Sequence, residues 1–306
     1  MKRILLLVLA LAVVASACSG GSVVATVNGV EIHSGDVEAL IAGDLSTVPQ
    51  DLYAQLIYTL IVHEVVVKAA EDEFGVTVDQ AQLDEQIAAL TSQIELSGGT
   101  LEEAAAQQGL SLDAVPLIIQ EDLTEQAVGD ALTASEPDPS EEDVLAAYNS
   151  ALQSLTEVCA GHILVATEEE AQGALDRIAA GEAFEAVATE LSTDTVSGEA
   201  GGDLGCAAAS TYVPEFAIAA IEAELGVPTA PVQSEFGYHV ILVRERTETS
   251  LEEVRGDIVA SLREGAKNTL LSDWMLVVIG GADVTVAEEY GTWELEPFPT
   301  VVPPAQ

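Results

Sequence analysis

Four histidines and three cysteines are the residues of this 306-residue chain best suited to chemistry. Imidazole titrates nearest neutrality and serves as acid, base or metal ligand. His162 stands in Gly-His-Ile-Leu-Val-Ala (161–166) and His239 in Phe-Gly-Tyr-His-Val-Ile-Leu-Val (236–243), two β-prone stretches. Residues two apart on a strand share a face, so His162 lies beside Leu164 and His239 beside Ile241. Each ring is therefore expected to face a buried aliphatic interior. A single histidine there is more often a satisfied core residue than a reagent. Metal binding by the pair is weaker still, because no third ligand stands at useful spacing.

The elements that must position these residues fall into two kinds. Residues 23–32 alternate in polarity around Asn28-Gly29, the strongest local sign of a tight hairpin. Ser34 reads as the N-cap of a short helix. Helical spacing then runs over 51–74, closed by Gly75, and over 78–94, 101–109 and 112–132, the last with Pro116 in its first turn. Residues 136–139, Glu-Pro-Asp-Pro, interrupt the pattern and mark a first boundary, and Ser140 opens a helix to Leu155. Beyond it the chain mixes a strand (161–166), helices (168–180, 183–191), a glycine-rich loop (197–205), a helix (214–224) and two strands (230–233, 238–244). A long helix over 251–278 follows, and the tail from Ala282 reads as proline-rich, mobile chain. No internal repeat is found. The expected fold class is α+β: a four-stranded sheet with helices, plus a mainly α-helical domain built from N- and C-terminal segments. The expected boundaries are 18–150, 155–247 and 248–306.

Residues 1–17 stand apart. Lys2 and Arg3 precede an apolar run over 4–14, and Ala15, Ser16 and Ala17 lead into Cys18, the pattern of a secretory signal peptide. A cysteine directly after the small residues resembles the lipobox of bacterial lipoproteins, which implies lipidation at Cys18 and a place in the cell envelope, anchored on the extracytoplasmic side of a membrane. The plainer reading is a cleavable signal with a chance cysteine. No later run is expected to reach the length of a membrane span. The formal charge of -43 argues against nucleic acid as a partner, since binding it needs cations to neutralise phosphate. Solubility or adaptation to salt is the preferred account of this acidity over a recognition surface.

Five stretches occur together in the middle of the chain: Cys-Ala-Gly-His-Ile-Leu-Val (159–165), Phe-Glu-Ala-Val-Ala-Thr-Glu-Leu-Ser-Thr-Asp (184–194), Gly-Gly-Asp-Leu-Gly (201–205), Tyr-Val-Pro-Glu-Phe (212–216) and the His239 strand. In order and spacing they resemble the parvulin family of peptidyl-prolyl isomerases. The flanking hairpin and helices resemble, at the level of pattern, the chaperone domain of foldases of the PrsA and SurA type.

The resemblance implies a helix-wrapped sheet with an active cleft on one face. It assigns His162 and His239 to the family's paired histidines and Asp194 to a position held by Cys or Asp. Leu204, Tyr212 and Phe216 fall on the apolar wall that receives the proline ring, with Phe236 where members carry a small hydroxyl residue or an aromatic. Tyr212 departs from the usual Met, and Phe236 lacks a hydroxyl. Family members that recognise phosphate use basic residues after the first histidine strand; here that stretch is Ala-Thr-Glu-Glu-Glu (166–170). In the family's sheet the strands following Cys159 and Cys206 lie side by side. A disulfide between them is therefore expected in a secreted chain, against the alternative of two free thiols packed as small apolar groups. The implied function is extracytoplasmic isomerisation of X-Pro bonds in unfolded or partly folded secreted polypeptides, with no cofactor. A holding chaperone with an inactive parvulin domain is the runner-up, and a lipid-anchored solute-binding protein a distant third.

Overall fold

The computed structural model describes residues 20–42 and 48–304, so Cys18 and the signal segment lie outside the described residues. The fold begins with strands β1 (Val23–Val27) and β2 (Val30–His33), paired antiparallel with Val27 opposite Val30. Asn28 and Gly29 both take positive φ, 48° and 88°, as the two-residue turn matching strand twist requires. Helix α1 (Ser34–Ala39) follows with His33, one residue earlier than expected, as its N-cap. Asp36 accepts from the His33 backbone N–H, which leaves Ser34 as the first helical residue.

The chain divides into two compact units, one from residues up to Glu136 together with those from Gly265 onward, the other Pro137–Glu264. In the first, α2 (Gln50–Phe74) ends at Gly75 in the left-handed region, φ 68°. It is the one helix among the described residues long and apolar enough to cross a bilayer, contrary to expectation. Its buried residues Ile57, Ile61, Val65 and Val66 nevertheless pack in a protein core with Val24, Val27 and Val128. Helix α3 (Gln80–Leu96) is capped by Asp79 and α4 (Leu101–Gln107) by Thr100, each reciprocated from the third helical residue. Helix α5 (Ala114–Thr133) completes the set.

In the second unit α6 (Glu141–Leu155) is capped by Ser140 and leads into β3 (Thr156–Val165). The units divide at Glu136, at the Glu-Pro-Asp-Pro interruption rather than at 150–155, because α6 belongs here: Tyr148 donates to Glu248 at 2.6 Å and to the Thr249 carbonyl at 3.0 Å. Helices α7 (Glu168–Ala179), α8 (Phe184–Leu191) and α9 (Thr195–Glu199) precede β4 (Asp203–Ala208), so a helix and a strand take up most of the expected glycine-rich loop. Then come α10 (Pro214–Glu222), β5 (Val232–Ser234) and β6 (Gly237–Glu248). The antiparallel sheet has the order β4-β3-β6-β5. One face carries Val158, Ala160, Ile241 and Val243 against α10; the other carries Ile163, Val165 and Val240 against α7 and α8.

Helix α11 (Leu251–Gly280) gives its residues to Glu264 to the second unit and the rest to the first. The tail is not loose chain. Strand β7 (Val284–Val286) pairs with β1, and β8 (Thr292–Glu294) with β9 (Thr300–Val302). Val301 is buried in the first unit's core, which explains why a segment without helical period is ordered.

Candidate active site

β3 and β6 pair so that His162 and His239 fall on one sheet face, the face covered by α10. Both rings are buried, and they stack at 5.4 Å between centroids. Phe216 of α10, itself buried, stands edge-on to both, 5.9 Å from His162 and 5.6 Å from His239. Tyr212 lies 4.6 Å from Phe216, and Leu204 packs half-buried on the same cluster. Five expected site residues, the two histidines and the three of the apolar wall, are thus gathered. Phe236 is placed differently: it stands in the β5–β6 turn, 62% exposed and outside the apolar cluster that holds the wall.

Asp194 arrives from the loop after α8. That loop is latched to β3 by Thr193, whose backbone N–H donates to the Leu164 carbonyl at 2.7 Å, and by Ser192, whose hydroxyl accepts from the Leu164 N–H at 3.2 Å. As N-cap of α9, Asp194 accepts from the Val196 and Ser197 N–H groups. Its other oxygen accepts from Ser197 Oγ at 2.6 Å and lies 2.9 Å from His162 Nε2. The Ser197 hydrogen bond first, then that of His162, hold its pKa down at about 2, against desolvation that raises it. β4 closes the other side. Gly202 takes φ 81° and accepts from the His162 N–H at 2.8 Å, where a Cβ would meet the His162 carbonyl oxygen. Glycine alone allows that approach.

An ionised Asp194 can only accept, so His162 Nε2 carries a proton toward it. A neutral His162 then has a bare Nδ1, 3.2 Å from His239 Nδ1, and His239 must supply the proton. His239 Nε2 is left to accept from Ser234 Oγ at 2.7 Å, and Ser234 Oγ accepts from the Phe236 N–H at 3.1 Å. Every link has one donor and one acceptor. Burial pushes the His239 pKa down to about 4, with the neighbouring His162 adding to the effect, which keeps the His239 ring neutral around physiological pH.

Sequence reasoning missed Ser197 and Ser234. Ser197 was legible as the third helical residue after an Asp cap, a reciprocating position. Ser234 offered no comparable sign, since a serine before a turn is ordinary. Cys159 and Cys206 stand opposite each other on β3 and β4 and are bonded, S–S 1.99 Å. Among the described residues no group of three or more His, Cys, Asp or Glu is placed to hold a metal ion.

The family model of the PPIC-type PPIase (rotamase) domain matches residues 162–245. The foldase protein PrsA of Halalkalibacterium halodurans is 29% identical over 289 residues, covering 92% of this chain and 83% of the relative. That of Oceanobacillus iheyensis is 33% identical over 208 residues, covering 68% and 66%. The crystal structure of peptidylprolyl isomerase (PrsA) from Bacillus cereus is 22% identical with a TM-score of 0.46, covering 89% of this chain and 96% of that one. The chain belongs to the parvulin-type peptidyl-prolyl cis-trans isomerases, in the build of a PrsA-like foldase of secreted proteins.

Proposed function

We propose that the cleft takes the proline ring against Leu204, Tyr212 and Phe216, with Phe236 on its rim, and that Asp194, His162 and His239 form its polar floor. The unbroken hydrogen-bond chain from Asp194 to Ser234 beneath Phe216 is the observation that carries this reading. An X-Pro amide rotates over a barrier of about 20 kcal/mol and takes tens of seconds or longer unaided. A thousandfold acceleration lowers that barrier by only about 4 kcal/mol. Twisting the amide removes its resonance and much of its polarity, so an apolar wall that grips the ring favours the twisted form over the planar one. The imidazole pair needs no nucleophile. Asp194 orients the rings and does not attack.

Clients are polypeptides with X-Pro bonds, held while they fold by the helical unit that the N- and C-terminal segments build. Cys18 carries the lipid that keeps the chain on the outer side of a membrane, and nucleic acid is not a partner. A holding chaperone with an inactive isomerase is not favoured, because none of the floor residues is missing. The test is refolding of a client limited by proline isomerisation: wild type accelerates it catalytically, and Phe216→Ala does not. A client that refolds no faster with wild type overturns the reading. For the anchor, Cys18→Ser is expected to move the protein from the membrane to the soluble fraction; unchanged fractionation excludes it.

A further inference from the structure

Charge is unevenly available around the cleft. Residues 137–264 carry twenty-five carboxylates, five arginines and no lysine. Each arginine is already engaged: Arg177 by Glu182 and Glu190, Arg244 by Glu185 and Asp203, Arg255 by Glu141, Arg263 by Asp138. Arg246 donates to the carbonyls of Ala220 and Ala223. A peptide entering the cleft therefore meets no uncommitted cation of this unit.

Two carboxylates beside the pocket have neither an ion pair nor a hydrogen bond among the described residues. Glu215 precedes Phe216 on α10, and its charge reaches His239, where it opposes the fall in pKa. Glu235 stands between Ser234, the last link of the polar chain, and Phe236 in the β5–β6 turn. Both are exposed. Asp203, next to Leu204, differs in being held by Arg244 at 3.0 Å. Negative potential at the mouth of a cleft with low-dielectric walls draws cations and repels anions.

We infer that Glu215 and Glu235 give the cleft a preference for polypeptides with lysine or arginine next to the proline. The inference rests on the isomerase reading of this cleft and names its substrate class more closely. An exposed ion pair is weak and screened by salt, so two carboxylates acting on one cation should discriminate by about threefold to tenfold at low ionic strength.

The overall acidity of the chain provides the control. Glu168 and Glu169 open α7, which packs on the opposite face of the sheet from α10. The experiment measures kcat/KM of the full chain on blocked Ala-Lys-Pro-Phe and Ala-Ala-Pro-Lys against their glutamine counterparts, at low salt and at about 1 M salt. At least a threefold advantage for lysine is expected, falling towards one in high salt. Glu215→Gln with Glu235→Gln should bring the low-salt ratio near one, and Glu168→Gln with Glu169→Gln should leave it unchanged. A wild-type ratio of one, or an equal fall in the α7 variant, overturns the inference. Dissociation constants of the same peptides from chemical-shift titration give the ratio without turnover. A chain that binds but isomerises nothing would then fault the isomerase reading while still deciding the charge preference.

Discussion

His63 in the helical unit is half-buried and His239 in the isomerase unit is buried, and desolvation lowers the pKa of each to about 4. Only one of them has company. His63 sits on α2 with Nδ1 buried and without a hydrogen-bond partner among the described residues, whereas His239 is bonded at both nitrogens, to His162 and Ser234. A hidden, neutral histidine is thus not a mark of chemistry. What separates the two is a second polar layer that fixes which nitrogen carries the proton. The helical unit buries aliphatic side chains around α2; the isomerase unit places two imidazoles and their carboxylate beside an aromatic wall.

The largest effect expected from breaking this contrast is on stability. Removing the Cys159–Cys206 bond with Cys159→Ser and Cys206→Ser opens a loop of 47 residues' separation, which the chain-entropy relation values at about 4 kcal/mol before any relief of native strain. The isomerase unit should unfold at lower denaturant and the helical unit should not. An unchanged isomerase transition would show that the bond adds nothing. Next in size, Asp194→Asn keeps the shape of the cap and removes the charge that sets the His162 tautomer. Turnover should fall about tenfold, near 1.4 kcal/mol of barrier, with the far-ultraviolet circular dichroism unchanged; full turnover would remove the carboxylate from the mechanism.

A smaller effect concerns pH, and here the units differ in sign. Desolvation, with Glu125 nearby, raises the Glu121 pKa to about 7 in the helical unit. The folded state then holds a proton that the unfolded state releases, so this contribution is present below about pH 4.5 and lost as pH rises through about 7. Asp194, depressed to about 2, and His239, depressed to about 4, act the other way, and their contributions are lost as pH falls. Glu121→Gln should flatten the decline of the helical unit between about pH 5 and 8 and leave the isomerase unit unaffected. An unchanged slope would place the titrating group elsewhere. His63 opposes Glu121 within the same unit, losing stability as pH falls from about 6.5 towards 4, so Glu121→Gln and His63→Ala together separate the two contributions.

The contrast also explains what the sequence could reveal. Long helices such as α2 and α11 announce themselves through period, and the Asn28-Gly29 turn through its backbone demand. Strand β3 was legible only from Gly161 onward, because Thr156 to Ala160 carries an irregular register at Cys159 that breaks the alternation. The three-residue strands β7, β8 and β9 gave no period at all; β7 exists because β1, more than 250 residues earlier, offers it an edge. The helix over 141–155 is legible as an element and so is the break before it at 136–139, but nothing in its own period shows which unit it packs in, since its partners Glu248 and Thr249 are about a hundred residues away. In the site, His162, His239 and Asp194 stood out by type and by motif. The two serines that complete the proton chain are common residues made significant by position alone.

The most direct test sets the two histidine environments side by side in the full chain, by measuring isomerisation of a blocked X-Pro peptide for His162→Ala and His63→Ala. The account predicts a loss of about tenfold or more for His162→Ala with the isomerase unit still folded, and a change within about twofold for His63→Ala. Equal turnover in the two variants, or a greater loss from His63→Ala with both proteins folded, would contradict it.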